Sequence, residues 1–242
     1  MRLRRITTMC TAAAALIVPI AVAGPTQAAA PIQPGVSITT DGGCCTLNWI
    51  YDGSGPVAGK VYGGTAAHCV SSVGQRVSLA EASLGEPIEE FGTVAYISSS
   101  LDTAFIEVDA GKHGQVNPAM KGHPAIPAGV ATAEETAVGD ICQFSGNGVG
   151  FHLLPPTQES RVGVLVSNDG TQHYCNGPVT PGDSGGPVGD VTAGNKALGI
   201  VNTLGVGIQD GLPIAGEGGV SMPALLSDAA ANGFPVQVRT VS

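Results

Sequence analysis

Apolar and polar positions recur along this chain in short runs separated by turn residues. Residues 36–39, 46–51, 57–62, 76–79, 92–97 and 103–108 are rich in β-branched and aromatic side chains, and several alternate between the two kinds. That is the pattern of strands with one buried face. Asp52-Gly53 and Ser54-Gly55-Pro56 predict a hairpin turn between the second run and the third. The pattern then lapses. Residues 109–134 carry Pro118, Pro124, Pro127, Gly111, Gly114, Gly122 and Gly129, and predict a crossing linker. Strand patterns resume at 140–144, 161–166, 186–191, 197–203 and around 219–222. Residues 223–232 form the single plausible helix, with Gly233 as its stop. Two β-rich halves of similar length predict an all-β protein, built as two barrels or one sandwich.

The N-terminus follows a different rule. Arg2, Arg4 and Arg5 precede an apolar run from about residue 12 to residue 23, and small residues follow through Ala30. A basic start, a short apolar run and a small-residue exit predict a secretory signal peptide over residues 1–28. The run is shorter than the ~20 apolar residues a membrane helix needs. The chain has 10 Lys and Arg against 19 Asp and Glu. Removing the three leader arginines leaves 7 − 19 = −12. An acidic chain with no basic run beyond its leader is not built for phosphate, so no nucleic-acid partner is expected. A hydrophobic share of 43% with only 12% charged residues excludes a charge-rich disordered chain, and 36 glycines with 17 prolines disfavour long helices. The expectation is a secreted protein with no stable membrane association. Residues 31–35 lead directly from the leader into the first strand, so the chain is expected to fold active once the leader is removed.

Five cysteines lie beyond the leader: Cys44, Cys45, Cys69, Cys142 and Cys175. Export permits disulfides, and an odd count leaves one thiol over, with Cys44 and Cys45 competing for one partner. Cys44, Cys45, His68 and Cys69 lack the paired spacing of zinc ribbons, so no metal is expected.

Chemistry concentrates at Pro181-Gly182-Asp183-Ser184-Gly185-Gly186-Pro187. A serine between glycines sits on backbone that can turn sharply, and N–H groups there can converge on a developing oxyanion. Gly182-x-Ser184-x-Gly186 also fits the nucleophile elbow of α/β-hydrolases. That mechanism needs a histidine after the serine, and the last histidine is His173. The imidazole must come earlier. In Thr65-Ala66-Ala67-His68-Cys69, small residues leave a ring free to reach a cleft. His113, His123, His152 and His173 lie in polar or Gly/Pro-rich stretches and are read as surface residues. Asp102, in Leu101-Asp102-Thr103-Ala104-Phe105, precedes a strongly apolar strand. A carboxylate there is expected to be buried and to need a partner such as an imidazole N–H.

TAAHC, LDTAF and GDSGGP, in that order, resemble the three signature segments of chymotrypsin-like serine proteases, and among them the small secreted streptogrisin-like proteases of actinobacteria. The resemblance runs from about residue 36 to residue 207. It implies two perpendicular six-stranded antiparallel β-barrels, here residues 29–117 and 118–242, the second ending in the short helix. It implies Ser184 as nucleophile, His68 as general base and Asp102 as its orienting acid. It implies an oxyanion hole from the backbone N–H groups of Gly182 and Ser184, and Asp183 as a buried structural acid, for which Arg161 is the candidate partner. It implies a Cys45–Cys69 disulfide, with Cys142–Cys175 as the remaining pair. The expected activity is that of a secreted serine endopeptidase, a monomer acting on protein or peptide substrates without a metal or organic cofactor.

By the same resemblance, residues 176–180 line one wall of the main specificity pocket. They include Val179 and no acid, so selection of Arg or Lys is not expected. Residues 199–205 resemble the strand that pairs with substrate backbone. Asn202 stands where serine is usual, Thr203 where an aromatic is usual, and Leu204 where glycine keeps the pocket mouth open. Val179, Asn202, Thr203 and Leu204 are therefore candidate substrate-binding residues, and the pocket is expected to be narrow and to favour small or medium apolar side chains. A protease-fold protein that binds without cutting is the alternative, motivated by Leu204 and the odd thiol; reactivity of Ser184 separates the two. A subtilisin-like order using Asp41 or Asp52 would need long amphipathic helices, which this chain lacks.

Overall fold

A computed structural model describes residues 29–40, 43–81, 85–148, 160–209 and 212–241. The signal-peptide expectation for residues 1–28, and His152, lie outside the described residues. The first half forms β1 (Ser37–Thr40), β2 (Gly43–Thr46), β3 (Ile50–Gly53), β4 (Val61–Thr65), β5 (Arg76–Ala80), β6 (Pro87–Ser98) and β7 (Thr103–Val108). The second forms β8 (Ile141–Ser145), β9 (Ser160–Asn168), β10 (Gln172–Asn176), β11 (Pro187–Asp190), β12 (Lys196–Ile200), β13 (Thr203–Gln209), β14 (Leu212–Val220), α1 (Met222–Ala231) and β15 (Val236–Val238). Alternation does what it predicts. In β9, Arg161, Gly163 and Leu165 are buried while Val162 and Val164 face out.

The strands pair antiparallel in two sheets, ordered β15-β3-β4-β7-β6-β5-β1-β2 and β12-β11-β8-β9-β10-β14-β13. Connection lengths dictate their shape. β2 and β3 stand six strand spacings apart in their sheet, about 29 Å if it were flat. The chain crosses from Thr46 to Ile50 in a reach of no more than about 15 Å. β12 and β13 likewise flank the second sheet, yet Ile200 and Thr203 are at most about 11 Å apart along the chain. Both sheets must curl back on themselves. At the first corner Leu47 N–H bonds to the Val36 carbonyl (2.9 Å) and Asn48 N–H to the Gly64 carbonyl (2.8 Å), so the chain changes strand partners there. Thr46 lies at one corner and Asn202 at the other, and both serve the site below.

The all-β, double-barrel expectation holds, with the one helix at its expected place after Ser221 and ended by Gly233 in the left-handed region (φ 79°). Strand details differ. The single run expected over 46–51 is split at the corner. Gly55–Val57 forms a 3-10 turn with Pro56, not the start of a strand. The last strand, β15, returns to the first sheet and pairs with β3.

Three cores result. Ile38, Leu47, Val77, Phe91, Val94 and Ile106 fill the first sheet. Phe144, Leu165, Val188, Leu198 and Val201 fill the second around the Cys142–Cys175 disulfide. Between the sheets, Trp49, Tyr51, Tyr62 and Phe105 pack with Met222, Leu225 and Phe234. Trp49 Nε1 donates across this seam to the Gly199 carbonyl (3.0 Å). Among the described residues no helix is long and apolar enough to cross a membrane.

Candidate active site

β4 ends at Thr65 and the chain enters a 3-10 turn, Ala67–Cys69, that carries His68 at the edge of the seam. The Cys45–Cys69 disulfide ties this turn to β2. His68 Nδ1 lies 2.8 Å from Asp102 Oδ2, and the His68 backbone N–H donates to Asp102 Oδ1, also at 2.8 Å. Asp102 occupies the turn before β7 with a left-handed φ of 49°, unusual for a residue with a side chain. It is one-third exposed, not buried as its neighbours suggested, because the turn sets it at the cleft edge outside the apolar strand. Asn202, from the β12–β13 corner, holds it from the other side. Its Nδ2 donates to the Asp102 carbonyl (2.7 Å) and to Oδ2 (3.2 Å), and its Oδ1 accepts from Val220 N–H (2.9 Å). The hydrogen bond to Asp102 outweighs partial burial and raises the His68 pKa above its ordinary value. Burial pushes the Asp102 carboxyl up, but hydrogen bonds from the His68 ring, the His68 backbone and Asn202 outweigh it and hold it below its ordinary value.

The serine turn is pinned against this assembly. Gly182 and Gly185 both take positive φ (101° and 79°). A Cβ on Gly185 would stand 2.3 Å from Thr65 Oγ1 and 2.6 Å from the Ala66 nitrogen, so only glycine lets the turn approach the end of β4. Thr46 N–H donates to the Ser184 carbonyl (2.9 Å), Thr46 Oγ1 to the Gly182 carbonyl (2.8 Å) and Asn48 Nδ2 to the Gly185 carbonyl (2.9 Å). Ser184 itself is half-buried. Among the described residues no hydrogen bond joins Ser184 Oγ to the imidazole; such contacts commonly tighten only when substrate binds. Among the same residues, the N–H groups of Gly182 and Ser184 donate to no backbone carbonyl, while those of Asp183, Gly185 and Gly186 do. Two such donors flanking Asp183, one of them the serine's own N–H, can receive an oxyanion.

Asp183 is buried directly behind. Arg161 meets it with two bonds of 2.6 Å each, and the N–H groups of Gly148 (2.9 Å) and Thr180 (2.8 Å) complete its shell. Charge-assisted, bidentate geometry of this kind lets a carboxylate lie in the interior.

The candidate substrate-contact residues part company. Asn202 and Thr203 line a cleft of about 200 Å³ together with Leu101, Asp102, Tyr174 and Gly218. Leu204 is 38% exposed at the edge strand. Val179 is half-buried against the second core and does not line that cleft. Asn202 serves Asp102 directly, a contact no pattern in the sequence announced. The surface assignment of His173 is wrong: the ring is fully buried, 3.1 Å from a fully buried Glu217. Gln172-His173-Tyr174-Cys175 alternates exposed and buried positions along β10, and placing Cys175 inside would have placed His173 with it. Cys44 is the exposed free thiol. Cys45, His68 and Cys69 lie together, but both sulfurs are spent in the disulfide, leaving only the imidazole as a ligand.

No model of a protein family and no curated protein sequence matches the chain. Solved structures do. Protease A of Thermobifida fusca superposes with a TM-score of 0.58 at 19% identity, over 87% of this chain and 100% of that one. A glutamic-acid-specific serine protease described as using a histidine triad in substrate binding gives 0.57 at 21%, over 86% and 100%. Cellulomonas bogoriensis chymotrypsin gives 0.55 at 21%, over 87% and 100%. The chain has the chymotrypsin-like fold. At these identities the likeness speaks for the fold, and the chemistry rests on the site.

Proposed function

We propose that this protein is a secreted serine endopeptidase that acts as a monomer on protein or peptide substrates. The observation that carries the reading is the doubly tethered Asp102. It binds the ring and the backbone of His68 while Asn202 fixes its own carbonyl, beside a serine turn with two free N–H donors. His68, oriented through Nδ1, would take the Ser184 proton through its other nitrogen and return it to the leaving amine. Asp102 would stabilise the imidazolium that forms between these steps. Ser184 Oγ would attack the scissile carbonyl, giving a tetrahedral species whose oxyanion lies between Gly182 N–H and Ser184 N–H, each donor worth about 3 kcal/mol of barrier. Collapse would leave an acyl-enzyme, and water would then repeat the sequence. Leu204, partly exposed on β13 where the resemblance expects a glycine at the pocket mouth, supports a preference for small or medium apolar side chains before the cut bond. The two disulfides and the fold support an extracellular site of action after removal of residues 1–28.

Hydrolysis of an unfolded polypeptide by purified residues 29–242, with cleavage sites read by mass spectrometry, tests this reading. The expected result is turnover that Ser184→Ala abolishes, with cuts chiefly after Ala, Val or similar residues. Turnover that survives in Ser184→Ala, or cuts chiefly after Arg, Lys or Glu, contradicts it.

A further inference from the structure

Outside the proposed machinery, the second barrel hides a histidine and a glutamate in its core. His173 on β10 and Glu217 on β14 are each wholly inaccessible, with Nε2 3.1 Å from Oε1. Among the described residues no third group bonds any of their four side-chain polar atoms, so each group has only the other as its compensation. A buried polar pair gains little stability over an apolar pair of the same shape, which points to a role beyond stability. Burial pushes the Glu217 carboxyl up, and His173 opposes this only in part.

Their position is informative. Glu217 lies directly opposite Leu204 on the edge strand β13 and opposite Cys175 on β10, so the three share one face of the sheet, with Leu204 at its exposed edge. Its neighbour Gly216 runs against the start of the segment that precedes the serine turn; a Cβ there would stand 2.1 Å from the Cys175 carbonyl and 2.8 Å from the Gly177 nitrogen. Glu217 therefore stands on β14 between β13, which carries Leu204, and β10, which leads into residues 176–180; both are candidate pocket walls. The imidazole is wedged on its far side against Gly199, where a Cβ would come within 2.3 Å of the ring.

We propose that His173 masks Glu217: the imidazole holds an acid beneath the substrate side-chain pocket in a closed pair, so that the pocket does not select Lys or Arg, and loss of the imidazole would turn it towards cationic side chains. The inference rests on the endopeptidase reading above. It explains how a pocket with a carboxylate beneath it can still take apolar side chains, and why a glycine stands at 199, where the ring needs room.

The test compares matched peptide substrates with Ala, Leu, Lys or Arg before the cut bond, with active sites counted by a fluorophosphonate probe. Leu204→Gly opens the mouth and leaves the pair intact. It is expected to gain on Leu substrates but to stay within twofold of wild type on Lys and Arg. A tenfold gain on Lys in this single variant would mean Glu217 is already available and would overturn masking, whether or not any His173 variant folds. Adding His173→Gln, or His173→Met should Gln perturb the near-ultraviolet circular dichroism, is expected to raise Lys and Arg cleavage at least tenfold per labelled site. Adding Glu217→Gln is expected to remove that gain. A folded, labelled double variant with no gain, or a gain that survives Glu217→Gln, overturns the proposal and leaves the protease reading standing. A wild-type protein that the probe does not label fails the protease reading, and the proposal falls with it.

Discussion

Asp102 is the residue on which most of the proposed chemistry turns. It is one-third exposed and held in a left-handed backbone, yet it receives donors from His68 twice and from Asn202 twice. A residue carried in an uncommon conformation persists only when its surroundings over-determine it. The electrical consequence can be tested. A general base works in its neutral form, so a raised His68 pKa moves the acid limb of activity upward, above the reference value near 6.5. Asp102→Asn is expected to bring that limb back towards 6.5 and to lower kcat by about 10⁴-fold. Asn202→Ala removes, among its bonds, the two to Asp102, worth about 1 kcal/mol each, and is expected to lower kcat by up to roughly 30-fold. The pH dependence of kcat/KM checks both, and an acid limb unmoved by Asp102→Asn would contradict the role given to the pair.

At the scale of elements, the serine turn is held from behind by β9. Arg161 reaches from that strand to Asp183 and also donates to the Pro178 carbonyl (3.0 Å). Removing the cation would leave a carboxylate buried with two backbone donors alone. Arg161→Ala is expected to cost about 3–5 kcal/mol in urea denaturation, and Arg161→Met with Asp183→Leu to recover much of it. A loss below about 1 kcal/mol would show that the pair does not organise the turn. Elements also mark where the sequence was legible. The Asp183–Arg161 pairing could be read because cations are scarce and a carboxylate beside the nucleophile needs one. The β13–β14 hairpin could not. Gly205, Gly207, Gly216, Gly218 and Gly219 erase the β-branched signal along it, although the strands pair in register from Thr203↔Gly218 to Gln209↔Leu212. Gly219 is there because the Ile200 carbonyl passes within 1.7 Å of where its Cβ would stand. Close backbone approach, invisible in the sequence, overrode propensity.

For the whole molecule, two short corners do the organising. Residues 47–49 and 201–202 force each sheet to curl, and they deliver Thr46 and Asn202 to opposite sides of the same site. Alternation made most strands readable, and the resemblance to a known family made the three signature segments readable. Alternation did not show that the chain's end crosses back to the first sheet, because 236–238 is too short to carry a period. That return matters to stability. Phe234 packs on Tyr62, Tyr96 and Phe105 with ring centroids 5.0, 5.0 and 5.5 Å away, all from the first barrel. Phe234→Ala is expected to cost about 3–5 kcal/mol, read as a fall in the thermal midpoint of one cooperative transition. A negligible change would show that the tail does not clamp the barrels.

The most direct measurement of the central claim is labelling of residues 29–242 with a fluorophosphonate probe, followed by mass mapping of the adduct. The account predicts one adduct per chain on Ser184, lost in Ser184→Ala and strongly slowed in His68→Ala. A folded protein that stays unlabelled, or an adduct on another residue, would contradict it.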